Sequence, residues 1–239
     1  MENILLLITS IIYLLAFAAG LFRQRGISLY AMYLGIAVHT ALIITRTVLA
    51  QHLPLSNVYE TVLLLTWLLQ IRFIFFQKQV NIQIIHFQRI LVILLLLLPM
   101  FIQPEFRAVR PLMPEYKNVW MYIHVLTDLM AYVFLFSGFV LAFTDLFAPK
   151  KIFPYDKHMD TDIRIAMLLL SCGLLAGLIW GQISRGSYWS WQPKEIWSLI
   201  NIMILSLYLH MKDRHLRSII VVVTVLTVLF TFIGLGLGS

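Results

Sequence analysis

The chain has 239 residues, of which 61% are hydrophobic and 12% charged, with a formal net charge of +7 and a mean hydropathy of +0.88. Soluble domains carry roughly 25% charged residues, so this composition excludes a soluble globule, a disordered chain and a fibrous repeat. The basic excess does not call for nucleic acid, because Lys and Arg collect in the cytoplasmic loops of membrane proteins.

A helical span needs about 20 apolar residues. The sequence predicts eight, at 3–22, 27–50, 57–76, 83–103, 119–147, 162–183, 194–211 and 218–238. Lipid offers the backbone no hydrogen bonds, so each span must be helical or part of a closed barrel. The apolar runs lack period-two alternation, which excludes the barrel. The expected fold is an all-α polytopic bundle forming a single membrane domain over 1–239. The first apolar block has no basic leader and no obvious cleavage signal, so it reads as a retained span. Cys172 is the sole cysteine; it has no internal partner, so any thiol chemistry must come from another protein.

Loops after the odd-numbered spans carry Arg23, Arg25, Arg72, Lys78, Lys150, Lys151, Lys157, Arg164, Lys212, Arg214 and Arg217. Loops after spans two, four and six carry fewer: Arg107, Arg110, Lys117, Arg185 and Lys194. The richer set should face the cytoplasm. Both termini and the segment 180–197 are then expected on the outer side.

That segment, WGQISRGSYWSWQPKEIW, holds Trp180, Trp189, Trp191 and Trp197, four of the chain's six tryptophans. Two readings fit it. One is an aromatic belt at the membrane boundary. The other is a shelf for a flat apolar ligand, with indole faces for stacking and Gly181 and Gly186 allowing close backbone approach. Pro193 and Glu195 suit a helix start, so Glu195 also has a purely structural reading.

The pattern W-G-x(7)-W-x-W-x-P-K-E-x-W-x-L-I resembles the tryptophan-rich signature ("WWD domain") of the haem-handling cytochrome c assembly family, closest to its CcsA/ResC and HemX-like branch. HLPLSNVYETVLLLTW from His52, WMYIHV around His124 and LYLH ending at His210 resemble other family segments, so the likeness covers spans two to seven. Two departures stand out. Gln192 occupies a position where the family usually has Asp, and the chain ends at Gly236-Leu237-Gly238-Ser239 without the family's outer terminal histidine.

The resemblance implies non-covalent haem b on an outer Trp loop. It also implies a CcsB/ResB-type membrane partner and attachment of haem to an apocytochrome c, with the chain working within a cytochrome c synthase complex. The expected membrane is a bacterial cytoplasmic or thylakoid-like one. Histidine is costly at bilayer depth and is a common axial ligand of haem iron. His124 is therefore the first candidate for the iron, with Asp128 one turn away on the same face. His210 is the candidate for a haem within the membrane. His39, mid-span, is a weaker match there and has an interhelical hydrogen bond as its alternative; His52, at an outer helix end, is a substitute for the absent terminal histidine. Arg185 is the candidate clamp for the haem carboxylates, set against simple snorkelling. Rival functions are a HemX-like regulator or scaffold of haem metabolism and a structural subunit of a membrane redox complex.

Overall fold

The structure, a computed structural model, describes residues 2–101, 107–147 and 155–234. Gln103 at the end of the fourth expected span, Lys150, Lys151 and the terminal residues 236–239 lie outside them. The described residues are helical and contain no strand. Among the described residues eight long helices form: α1 Glu2–Leu21, α2 Arg25–Ala50, α3 Val58–Phe76, α4 Ile82–Phe101, α5 Val119–Phe147, α6 Asp156–Arg185, α7 Pro193–His210 and α8 Arg214–Leu229. Seven, all but α7, are long and apolar enough to cross a membrane. The 18-residue α7 falls short because Lys194, Glu195, Asn201 and His210 dilute it.

The surface is that of a protein dissolved in lipid. Phe22, Phe75, Phe101 and Leu168 stand 78%, 73%, 84% and 64% exposed on helices or their ends, whereas Glu60 and Arg46 are buried at 1% and 0%. Soluble monomers rarely show apolar patches on this scale. A bilayer favours this distribution, because charges within it must face protein and find partners.

The chain divides into two compact units, Met1–Leu112 and Met113–Ser239. In the first, α1 packs on α2 and α4, and α3 packs on α4 and α2. Arg46 ties this unit together. Its Nε donates to Glu60 Oε1 at 2.8 Å, and Nη1 donates to Glu2 Oε2 at 3.1 Å and to the Arg107 carbonyl at 2.8 Å. Glu60 also accepts from Ser56 N and Oγ, and Asn57 caps α3 by accepting from Glu60 N.

In the second unit, α5 packs along α6 and against α8, while α7 touches α6 and α8. α5 and α6 have 29 and 30 residues, about 44 Å each at 1.5 Å per residue. The hydrocarbon core is about 30 Å thick, so both helices tilt or project past it. They run antiparallel in a fixed register: His124 lies opposite Gly177, Asp128 opposite Gly173 and Gly138 opposite Ile163. At the other end of α5, buried Asp145 pairs with Arg214 Nε at 2.9 Å and accepts from Ser218 Oγ at 2.7 Å.

Candidate functional site

The segment expected as one loop over 180–197 is mostly helix. Trp180 to Arg185 form the last turns of α6, and α7 begins at Pro193. Only 186–192 is non-helical. Gly186 closes α6 in the left-handed conformation (φ 75°), with its N–H donating to the Gln182 carbonyl at 3.0 Å. Glycine adopts that conformation without the steric cost a Cβ brings.

Glu195 organises the turn. Its Oε2 accepts from Ser190 N at 2.8 Å and from Gln192 N at 3.3 Å, while Oε1 accepts from Arg185 Nη2 at 2.8 Å. Glu195 is therefore a structural clasp between the end of α6 and the start of α7, and it already engages one edge of the Arg185 guanidinium. Gln192 takes the N-cap position and Pro193 the first helical position of α7. Gly181 gives Arg185 its place: a Cβ there would lie 2.8 Å from Arg185 Nη2.

The four indoles do not share one surface. Trp180 is built into a stack, parallel to Tyr116 (5.8 Å between centroids, 28°) and to His124 (6.0 Å, 22°). Its Nε1–H donates to the Glu115 carbonyl at 2.9 Å, and Arg185 Cζ lies 5.9 Å from its ring centroid, within cation–π range. Burial raises the Tyr116 phenol above its ordinary value, helped by Glu115, so it remains a neutral ring partner. Trp197 packs edge-on against Phe230. Trp189 and Trp191 remain, edge-to-face at 5.8 Å. Trp191 is 74% exposed and held at φ 57°, a left-handed conformation uncommon for a bulky residue.

His124 sits just inside the start of α5. Its Nδ1 lies 2.8 Å from the Gly173 carbonyl oxygen. A carbonyl only accepts, so Nδ1 carries the proton and donates. In the neutral ring Nε2 is then left with its lone pair. Asp128 is farther away, its Oδ2 3.5 Å from Nδ1. The α6 backbone, not the Asp128 carboxylate, therefore makes the shorter bond to Nδ1. Close approach of the two helices requires glycine. A Cβ at Gly173 would collide with Asp128 Oδ1, and one at Gly177 would come within 3.0 Å of the His124 ring. The spacing Gly173-x-x-x-Gly177-x-x-x-Gly181 is the legible signal for this contact, since small residues four apart let membrane helices meet.

The second unit thus gathers His124, Asp128, Trp180, Gly181, Arg185 and Glu195 at one end of α5 and α6, adding Glu115, Tyr116, Gly173 and Gly177 to the residues the sequence singles out. His210 is elsewhere. It ends α7, about 25 Å along the helix from Pro193. Its Nδ1 donates to the Ser206 carbonyl at 2.8 Å, so Nε2 is again the free nitrogen. The other two histidines belong to the first unit. His39 is fully buried, with Nδ1 3.4 Å from Tyr13 Oη. His52 directs both ring nitrogens at carbonyls, Leu53 at 2.8 Å and Arg110 at 3.2 Å; both are acceptors, so the neutral ring donates to only one of them.

Fold and site together define an all-helical integral membrane protein with a histidine held beneath a tryptophan at the end of two long antiparallel helices. Residues 55–238 match the sequence profile of the family described as cytochrome C assembly protein, and the chain belongs to that family. It is similar to proteins named cytochrome c biogenesis protein CcsA. The Chlamydomonas reinhardtii protein is 29% identical over 82% of this chain and 62% of its own length. The Cyanophora paradoxa protein is 26% identical over 88% of this chain and 84% of its own, and that of Guillardia theta 25% identical over 87% and 82%. The family and these relatives support a role in cytochrome c biogenesis.

Proposed function

We propose that the chain binds haem b non-covalently at the α6–α7 turn and presents it, with a CcsB/ResB-type membrane partner, for attachment to an apocytochrome c. The reading is carried by the His124 tautomer. With Nδ1–H donated to Gly173, Nε2 is the nitrogen offered to a metal, and a hydrogen bond on the opposite ring nitrogen orients a ligating imidazole and raises its basicity. The donor set fits haem: an imidazole for iron, the half-buried Trp189 and exposed Trp191 for the macrocycle, and the Arg185 guanidinium for a carboxylate. Since Glu195 already engages Arg185, a haem carboxylate takes the remaining donors or competes with Glu195. Bound haem supplies the vinyl carbons that accept the two thiols of a C-x-x-C-H segment. The chain's own part is to hold iron and ring in place. His210, with Nε2 free, would serve a separate haem within the membrane. We assign the Trp turn to the outer side of a bacterial cytoplasmic or thylakoid-like membrane.

The absorption spectrum of the detergent-purified chain tests this. A Soret band is expected in wild type and should be lost or shifted in His124→Ala, while His52→Ala leaves it unchanged. An unaltered band in a folded His124→Ala protein refutes the ligand assignment. A folded wild type that stays colourless with added haem favours the scaffold reading instead.

A further inference from the structure

Apart from the Trp turn, the first unit holds a cavity of about 870 Å³. It lies where the end of α1, the start of α2, the turn after α3 and the start of α4 come together. Its volume falls in the roughly 300–1,000 Å³ range of small-molecule sites. Four cations line it, Arg23, Arg25, Lys78 and Arg89, and no carboxylate among the described residues does.

Three observations separate this cavity from basic residues merely gathered at a membrane face. Among the described residues, none of the four cations is joined to an acid by an ion pair. Arg89 is buried, 8% exposed. Its Nη1 donates to Ser28 Oγ at 2.7 Å and to the Ala16 carbonyl at 3.2 Å, while its Nε has no hydrogen-bond partner. Gly20 leaves the space for that guanidinium, since a Cβ there would collide with Arg89 Nη1. Buried cations are expensive unless matched, so Arg89 calls for an anion. Finally, the N-terminal turns of α2 and α4 both border the cavity, and helix N-termini carry partial positive charge that favours phosphate groups. The rest of the wall carries the apolar side chains of Leu29, Val80, Ile82 and Ile85 beside the polar Ser28, Gln77 and Asn81.

We propose that this cavity binds the phosphate headgroup of an anionic phospholipid, with the apolar wall receiving the start of an acyl chain. The charges supply the affinity for phosphate. The apolar wall, at the end of four helices of a membrane protein, selects the lipid over a free anion.

The test uses the full-length chain in zwitterionic detergent, titrated with phosphatidylglycerol, with phosphatidylcholine or with inorganic phosphate. Native mass spectrometry reads retention and the thermal midpoint reads stabilisation. Phosphatidylglycerol should be retained and raise the midpoint; phosphatidylcholine should do neither. The exposed pair Arg25→Gln/Lys78→Gln should weaken retention roughly 20–30-fold, each cation near a membrane surface contributing about fivefold. The matched charge change Lys157→Gln/Lys212→Gln, outside the cavity, should have no effect. Unchanged melting without lipid shows that either double variant is folded. Equal retention of phosphatidylcholine, full retention by the cavity variant or equal loss in the control variant overturns the site. Stabilisation by inorganic phosphate as large as by phosphatidylglycerol overturns the lipid and leaves a soluble phosphate anion as the ligand.

Discussion

Replacing Gly173 by alanine tests the α5–α6 contact on which the His124 geometry rests. In the native register a Cβ on residue 173 would overlap Asp128 Oδ1, lie 2.9 Å from Asp128 Cγ and lie 3.5 Å from the Asp128 backbone nitrogen. The Asp128 side chain can turn away only toward its neighbours, and the backbone nitrogen cannot move without α5. Overpacking of this kind costs about 1–3 kcal/mol. Widening the gap also weakens the His124 Nδ1–H to Gly173 bond, for about 0.5–1.5 kcal/mol. Alanine returns about 1 kcal/mol of helix propensity. The net expectation is a destabilisation of about 1–3 kcal/mol, and roughly 2–4 °C of midpoint per kcal/mol for a chain of this size. Tryptophan fluorescence during thermal unfolding in detergent reads it directly, because Trp180 reports on the same contact. The double variant Asp128→Ala/Gly173→Ala removes the collision and should be less destabilised than the sum of its single changes. A Gly173→Ala protein that melts at or above the wild-type midpoint, or a strictly additive double variant, refutes the reasoning.

Arg46→Gln should destabilise the first unit by about 3–5 kcal/mol, because it leaves the buried Glu60 carboxylate without its charge partner; loss of folded yield and a lowered midpoint are the readouts. Gly26→Ala is the opposite case: it lies in the first turn of α2 with nothing within 4 Å of a Cβ, so a gain of up to about 1 kcal/mol is expected, seen as a higher midpoint. Trp191→Gly should leave the fold as stable as wild type or slightly more so, by relieving the left-handed backbone, while lowering haem retention in a titration followed at the Soret band; unchanged retention would remove Trp191 from the site. Gln192→Asp should strengthen the start of α7 by about 0.5–1 kcal/mol through the helix dipole, measurable as slower backbone amide exchange in 193–197.

Apolar block length determined which segments become helices, because a bilayer leaves the backbone no other way to satisfy its hydrogen bonds. The fifth span, 119–147, coincides with α5. The sixth apolar run, 162–183, is shorter than α6, because the polar first turns at Asp156–Asp160 lie beyond the run although the helix continues through them. The Trp segment was visible as composition. Its division into helix end, seven-residue turn and helix start was not, because tryptophan and serine carry no strong backbone preference and the closing groups, Gly186 and Glu195, act through geometry. His124 and Asp128 were legible as neighbours from their four-residue spacing alone.

Tertiary structure decided the rest. Which nitrogen of His124 keeps its lone pair depends on a carbonyl 49 positions away, brought within reach by the register of two helices and by glycines that let them touch. The same holds for Trp180, whose ring is bound by Tyr116 and His124 rather than left open, and for the basic cavity, whose four cations come from three segments: Arg23 and Arg25, Lys78, and Arg89. Local sequence sets the period and burial of each helix. Hydrogen bonds, stacking and charge compensation between helices are set only where their faces meet.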